Sequence, residues 1–224
     1  MGLSEGAFTY PGGEDVFGVA VDYARTTRDT SGGYERKWFA PGGYEHWTGL
    51  PPTYYANCTI GGAINTRYLQ IGGGNGPVGP CVSAEIAPKS NTNLTRTQDF
   101  TNGRMYWNPS SGAWEVYGNI GLKYSNDGGP SSAVGWPTSG ELGTPNGQGR
   151  FNRFQNGNIY FGFPVGRSHA VHGAIFIRYG QEGWEGGRFG FPTSDEFAVG
   201  ADRQVNFEHG WIKWIAATGQ TITS

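Results

Sequence analysis

Asp195 and Glu196 stand side by side in the stretch FGFPTSDE, behind a glycine, a proline and two hydroxyl side chains. Two carboxylates flanking a bond are what glycoside hydrolysis needs. Glu196, however, has counterparts in the same phase at Glu85 and Glu141, whereas its aspartate neighbour occurs once. A glutamate that recurs without its partner reads as a support of the turn after the proline, accepting backbone N–H bonds, or as a ligand contact. His46, His169, His172 and His209 lack the His-Glu-x-x-His and Cys/His spacings of metal sites. His169 and His172 are three apart in a strand-like segment, which sends them to opposite faces. Ser168 adjoins His169, but there is no Gly-x-Ser-x-Gly, and adjacency does not make a triad. These residues lead us to expect no catalytic group, no metal and no cofactor.

The aromatic and basic residues suit a different chemistry. Sugars present C–H faces that stack on rings, while carboxylates, amides and cations bind their hydroxyls. Trp47, Trp107, Phe161 and Trp214 share one recurring position and read as core or as stacking rings. Trp136 and Phe191 occupy the middle of a Gly-x-Pro motif, where the other copies carry Val19 and Pro80. That variation suits a surface position able to touch a ligand. Arg67, Lys123 and Arg178 also recur. They reach a ligand or pair with the glutamate of their repeat, the ion pair being the reading favoured.

All these positions belong to one period. GAINTRY, GNIGLKY and GAIFIRY begin at Gly62, Gly118 and Gly173, a nearly constant interval. Gly79, Gly135 and Gly190 follow them at one fixed spacing, then Glu85, Glu141 and Glu196, then FTNGRMYW, FQNGNIYF and FEHGWIKW. A worn copy, FGVA with FAPGGYEHW, precedes them. The chain divides as one repeat domain, 1–224, into copies at 1–61, 62–117, 118–172 and 173–224. A whole number of repeats cut at equivalent points is what a closed ring needs, whereas open solenoids carry atypical ends. Within a copy, Ile and Tyr four apart mark one face of a helix of about two turns, ended by glycines. The alternation in GRMYW sets Met105 and Trp107 on one face and Arg104 and Tyr106 on the other. With the next run it makes a hairpin. The segments between Glu and Phe, such as NTNLTRTQD and GTPNGQGR, read as exposed loops. The expected fold is mainly β with short helices, a closed pseudo-fourfold toroid of helix-plus-hairpin repeats.

Composition bounds the classes. Forty glycines, 13 prolines and 15% aromatics describe a turn-rich, folded chain. A net charge of −2 offers no field for nucleic acid or anionic membrane, and no apolar run reaches membrane-spanning length. Cys58 and Cys81 form a disulfide or remain two buried thiols. No signal peptide opens the sequence, so a cytosolic protein, unconventional export or a start after the signal are all open.

The motifs FGFPTSDE, VGWPTSGE, FQNGNIYF and FEHGWIKW resemble those of the LGFP repeat family, and the likeness runs strongly from about residue 62 onward. VGPCVSAE departs by carrying Cys81 where the proline belongs. The resemblance implies cell-envelope modules that bind wall polysaccharide, often fused to enzymes; the expectation here is of repeats without an enzyme domain. The expectation is a secreted or cell-surface, non-enzymatic, multivalent lectin. Its ligand contacts would be drawn from Trp136, Phe191, Arg67, Lys123, Arg178, Glu85, Glu141, Glu196, Trp107 and Trp214. A protein-interaction module is the alternative, and a cell-wall hydrolase a more distant one.

Overall fold

The computed structural model describes residues 25–28, 34–37, 39–40, 44–45, 58–86 and 95–224. Trp47, His46 and the first Gly-x-Pro-like turn at Gly18 lie outside the described residues. The backbone forms two compact units, Met1–Ala113 and Trp114–Ser224.

In the first unit, β1 (Arg25–Arg28), β2 (Tyr34–Lys37) and β5 (Cys58–Ile60) pair antiparallel, and β3 (Phe39–Ala40) pairs with β4 (Tyr44–Glu45). Helix α1 (Gly62–Gln70) follows, then β6 (Arg96–Phe100), antiparallel to β7 (Gly103–Asn108). Cys58 and Cys81 are joined, with their Cα atoms 6.3 Å apart. The disulfide closes off the free-thiol alternative. It also ties β5 to the turn that has lost its proline.

The second unit is more regular. Strand β8 (Gly112–Tyr117) crosses the boundary and leads into α2 (Gly118–Asn126). Next come β9 (Leu142–Gly143), β10 (Gly149–Arg153), β11 (Gly157–Gly162) and β12 (Arg167–His172), then α3 (Gly173–Gln181). The chain finishes with β13 (Phe197–Val199), β14 (Asp202–Phe207), β15 (Gly210–Trp214) and β16 (Thr221–Thr223). Strands β9–β16 make two antiparallel sheets, ordered β12-β11-β10-β9 and β13-β14-β15-β16.

The recurring glycine at each helix start has a specific task. Tyr117 and His172 are fully extended, and Gly118 and Gly173 then take φ of 58°. A left-handed residue turns strand into helix with no loop, and glycine does so without a Cβ clash. Each helix buries its Ile/Tyr pair, Ile120 with Tyr124 and Ile175 with Tyr179. The opposite face carries Leu122 and Ile177, each 63% exposed. So short a helix does not persist in isolation, and this one-sided burial holds it.

Helix α3 lies between the two sheets, against β11 and β12 on one side and β15 and β16 on the other. Its buried cluster joins Tyr160, Val171, Ile175 and Tyr179 to Val205, Phe207 and Ile212. Helix α2 meets β11 and β12 from their other face, with Tyr124 on Phe154. The sheet of β9–β12 is thus covered on both faces, and Asn158, Ile159 and Tyr160 are buried in succession.

Two expectations are corrected. Phe191 is not a surface residue: it is 2% exposed and lies in the α3 cluster. Its ring fills the space over Gly149 and Gly162, where a Cβ would come within 2.7 Å of it. The segments between Glu and Phe are not simply loops, because their second halves form β6, β10 and β14, with Gln98, Asn152 and Val205 fully buried. Tyr106 is buried together with Met105, so both faces of β7 carry buried residues.

Candidate functional site

One joint is built three times. The helix tyrosine packs its ring on the phenylalanine that ends the next long strand: Tyr68 on Phe100 at 4.8 Å, Tyr124 on Phe154 at 4.6 Å, Tyr179 on Phe207 at 4.6 Å. Tyr124 Oη donates to Gly135 O at 2.8 Å, and Tyr179 Oη to Gly190 O at 2.7 Å. The Gly-x-Pro turn is then held by the strand behind it. Thr101, Gln155 and Glu208 donate their N–H groups to the carbonyls of Pro80, Trp136 and Phe191. Ser83, Ser139 and Ser194 complete the joint by accepting from Asp99 N, Arg153 N and Asn206 N. These serines recur just before the glutamate, a signal present in the sequence that the carboxylates overshadow.

The joint also corrects the pairing of the recurring charges. Glu85 meets Arg96 at 3.1 Å, Glu141 meets Arg150 at 3.6 Å, and Glu196 meets Arg203 at 4.0 Å. These partners come from the following strand rather than from the helix. The backbone N–H groups of that strand go to the serines, so it is Ser83, Ser139 and Ser194 that support the turn, in place of the glutamates. Partial burial pushes the Glu85 and Glu141 carboxyls up, against the pull of Arg96 on the first and of Tyr117 and Arg150 on the second. Tyr117, half-buried beside Glu141, is itself pushed up to about 12. His172, one repeat on from Tyr117, places Nδ1 3.8 Å from Glu196.

The helix cations have their own partners. Lys123 Nζ lies 2.6 Å from Asp127 Oδ1 and 3.0 Å from Asp195 Oδ2. Arg178 Nη2 lies 2.6 Å from Glu182. Both near partners are one helical turn along, where such pairs meet. Arg67 stands at the same phase of α1, half-buried. Of the aromatic candidates, Trp107, Trp136, Phe161 and Trp214 are half-buried, and Trp214 packs against the α3 cluster.

Lys123 and Glu196 come together in the second unit. An open cleft of about 290 Å³ is lined by Lys123, Asp127, Ser132, His172, Asp195 and Glu196. Asp195 spans it. Its Oδ1 accepts from Ala170 N at 3.0 Å and lies 3.6 Å from His169 Nδ1, while Oδ2 faces Lys123. The carboxylate thus stitches the open edge of β12 to α2. Partial burial pushes its proton affinity up, but His169, the Ala170 N–H and Lys123 outweigh this and hold the group well below the usual range. His169 and His172 face opposite sides of β12, as the spacing requires, and each meets one carboxylate of the Asp195-Glu196 pair.

The family model described as the LGFP repeat matches residues 78–132 and 134–187. The chain therefore carries two LGFP repeats. Each match opens at a Gly-x-Pro-type turn and closes just past the glycines that follow a helix. Each match in this frame holds a turn, its serine and glutamate, the strands that follow and the next helix, so the joint straddles the matches: Tyr124 of the first packs on Phe154 of the second. The two matches cover part of the four copies expected from the sequence, and FGFPTSDE begins just after the second. No curated protein matches the chain significantly.

The cleft between these elements joins an ammonium, three carboxylates, an imidazole and a hydroxyl. Such a set can donate to and accept from a polyhydroxylated ligand. Sequence reasoning does not single out Asp127 or Ser132. The four-residue spacing of Asp127 to Lys123 is a signal that could find it, whereas nothing local marks Ser132.

Proposed function

We propose that this protein is a non-catalytic carbohydrate-binding protein of the lectin type, with sugar sites at the junctions of its repeats. The observation that carries the reading is the cleft beside Lys123. It is open, about 290 Å³ in volume, and lined by groups of both hydrogen-bonding senses. Sugar hydroxyls both donate and accept, so a mixed lining orients them, and the volume is near the lower end for small-ligand pockets. The charged groups are already paired, so a hydroxyl can bridge them without leaving a bare charge behind.

Several such sites on one chain would gain strength by avidity, as expected of a multivalent binder. The closed four-repeat ring is part of the proposal and rests on the sequence period. Small-angle scattering that fits an extended particle would remove it. A secreted or cell-surface location is likewise proposed. The Cys58–Cys81 bridge supports it, because such bonds persist in oxidising compartments.

A glycan array followed by calorimetry tests the function. Binding to a defined glycan, competed by the free sugar and weakened about tenfold or more in D195N, is the expected result. Retention of no glycan at all would sink the lectin reading, and turnover of a bound oligosaccharide would replace it with the hydrolase.

A further inference from the structure

Lys123 and Arg178 hold the same place in successive repeats, yet their electrostatic settings are opposite. Lys123 is met by two carboxylates, Asp127 from its own helix and Asp195 from a distant turn. Arg178 is met by one, Glu182, and shares it: Glu182 Oε1 takes Arg178 at 2.6 Å while Oε2 takes Arg188 at 2.8 Å. The first group carries one negative charge in excess, the second one positive charge. Arg188 is further engaged by Thr223 Oγ1 and the Ser224 carbonyl. Arg178 meets Glu182 through Nη2; its Nε–H is buried without a hydrogen-bond partner, so the capacity left for a ligand is on the terminal nitrogens.

Arg178 also borders a groove. A space of about 370 Å³ runs between the outer face of α3 and the turn joining β15 to β16. Its walls include Ile177, Arg178, Gln181, Gln220 and Thr221. Ile177 offers an exposed apolar patch, the two glutamines bring amides of both senses, and Thr221 a hydroxyl. Among the described residues, the place filled at Lys123 by the Asp195 carboxylate has no such occupant at Arg178.

We propose that this groove binds an acidic saccharide, with the carboxylate of a uronic acid seated on Arg178. A guanidinium binds a planar carboxylate through a fork of two N–H groups, which a lysine in the same place could not do. The sugar ring lies along Ile177, and its hydroxyls meet Gln181, Gln220 and Thr221. This rests on the carbohydrate reading and adds to it a second site with its own charge preference. The α2 cleft, with its excess of carboxylates, suits neutral sugars, whereas the α3 groove suits anionic ones.

Calorimetry of the full chain with tri-galacturonate and with its neutral tri-galactose counterpart tests the proposal. The acidic trimer is expected to bind at least about tenfold tighter than the neutral one, a charge-assisted pair being worth that much. R178Q should abolish the preference, and R178K should recover only part of it. Because R178Q also breaks the Glu182 pair, Q181A and Q220A provide variants outside that pair. Each should weaken the acidic trimer several-fold and shift the NMR signals of the remaining groove amides. Equal binding of the two trimers, or a preference unchanged in R178Q, overturns the acidic-saccharide site while leaving the lectin reading intact. Failure of both trimers and of every arrayed glycan removes both. Hexaglutamate competing as well as tri-galacturonate also overturns the proposal, since the groove would then be reading carboxylate charge of a peptide.

Discussion

Helices α2 and α3 begin from the same pattern and are locked by the same tyrosine, but they differ in the turn that follows them and in the second partner of their cation. In α2 the residues past the helix are Gly128 and Gly129, both left-handed, with φ of 101° and 60°. In α3 the second of these is Trp184, the one non-glycine residue with positive φ among those described, at 57°. Its indole packs on Phe176 and Tyr179 and lies across Gly180, where a Cβ would stand 2.5 Å from the ring. The α2 counterpart of Gly180 is Ser125. One helix carries a side chain before the turn and none in it, and the other reverses this. The repeat fixes the joint, and function is free to vary in what surrounds it: a saturated lysine in one copy, an arginine with spare donors in the next.

If the joint is the shared part, breaking it should cost the same in both copies, and more than any change elsewhere. Tyr124→Ala and Tyr179→Ala should each lower stability by about 3–5 kcal/mol, as for other large core truncations. Urea unfolding followed by tryptophan fluorescence measures this. The matched Phe variants lose only the hydroxyl bond to a glycine carbonyl and should each cost about 1 kcal/mol. Phe variants that differ by more than about 1 kcal/mol would show that the two joints are not equivalent.

The next contrast lies inside the sheets. Asn152 in β10 donates to Glu115 O at 3.1 Å and Ser139 O at 3.2 Å, and is fully buried. Its counterpart in β14 is Val205, equally buried but without an amide. Asn152→Val should cost about 2 kcal/mol, the penalty for leaving buried carbonyls unpaired. A thermal melt with no change for N152V would mean that the carbonyls find water instead.

Much of this architecture is legible in the sequence, and what escapes it is informative. The period, the glycine-led helices, the Ile/Tyr face and the hairpins follow from local spacing. Phe191 reads as a surface residue because its burial depends on Gly149 and Gly162, which are remote in sequence and create its pocket by lacking side chains. The partners of Glu85, Glu141 and Glu196 escape notice because Arg96, Arg150 and Arg203 lie in strands whose composition reads as loop. The Lys123–Asp195 contact joins residues of successive repeats and exists only through packing. Pairs within one helix, such as Lys123 with Asp127, can be found by counting, whereas the cleft cannot.

Trp184 sharpens the helix comparison at smaller scale. A left-handed L-residue costs roughly 1–2 kcal/mol, which a glycine would recover. Trp184→Gly nevertheless should destabilise, by about 1 kcal/mol, because the indole, although 36% exposed, covers Gly180 and packs on Phe176 and Tyr179, and these contacts exceed the strain. Gly129→Ala in α2 adds strain with no ring to offset it, and should also cost about 1 kcal/mol. Chemical denaturation of both variants checks the pair, and a stabilised W184G would mean that the ring contributes less than the backbone loses.

The smallest effect is expected at Asp195, and it depends on pH. Its carboxyl is held below the ordinary 3.8, so its stabilisation is complete above that value and is lost as pH falls through the folded one. Asp195→Asn should therefore cost stability at neutral pH and progressively less below about pH 4. The carboxylate is 49% exposed, so solvent screening keeps the cost below about 1 kcal/mol. Glu141 runs the other way. Its folded value is raised above 4.5, so its contribution is present at low pH and is lost as pH climbs from there through the raised value. Asp195→Asn and Glu141→Gln should consequently bend the pH–stability curve in opposite senses between about pH 3 and 6. Curves that bend alike would mean that the Lys123 cleft and the recurring glutamate joint share one electrostatic environment, and would remove the basis for treating the cleft as a site distinct from the joint.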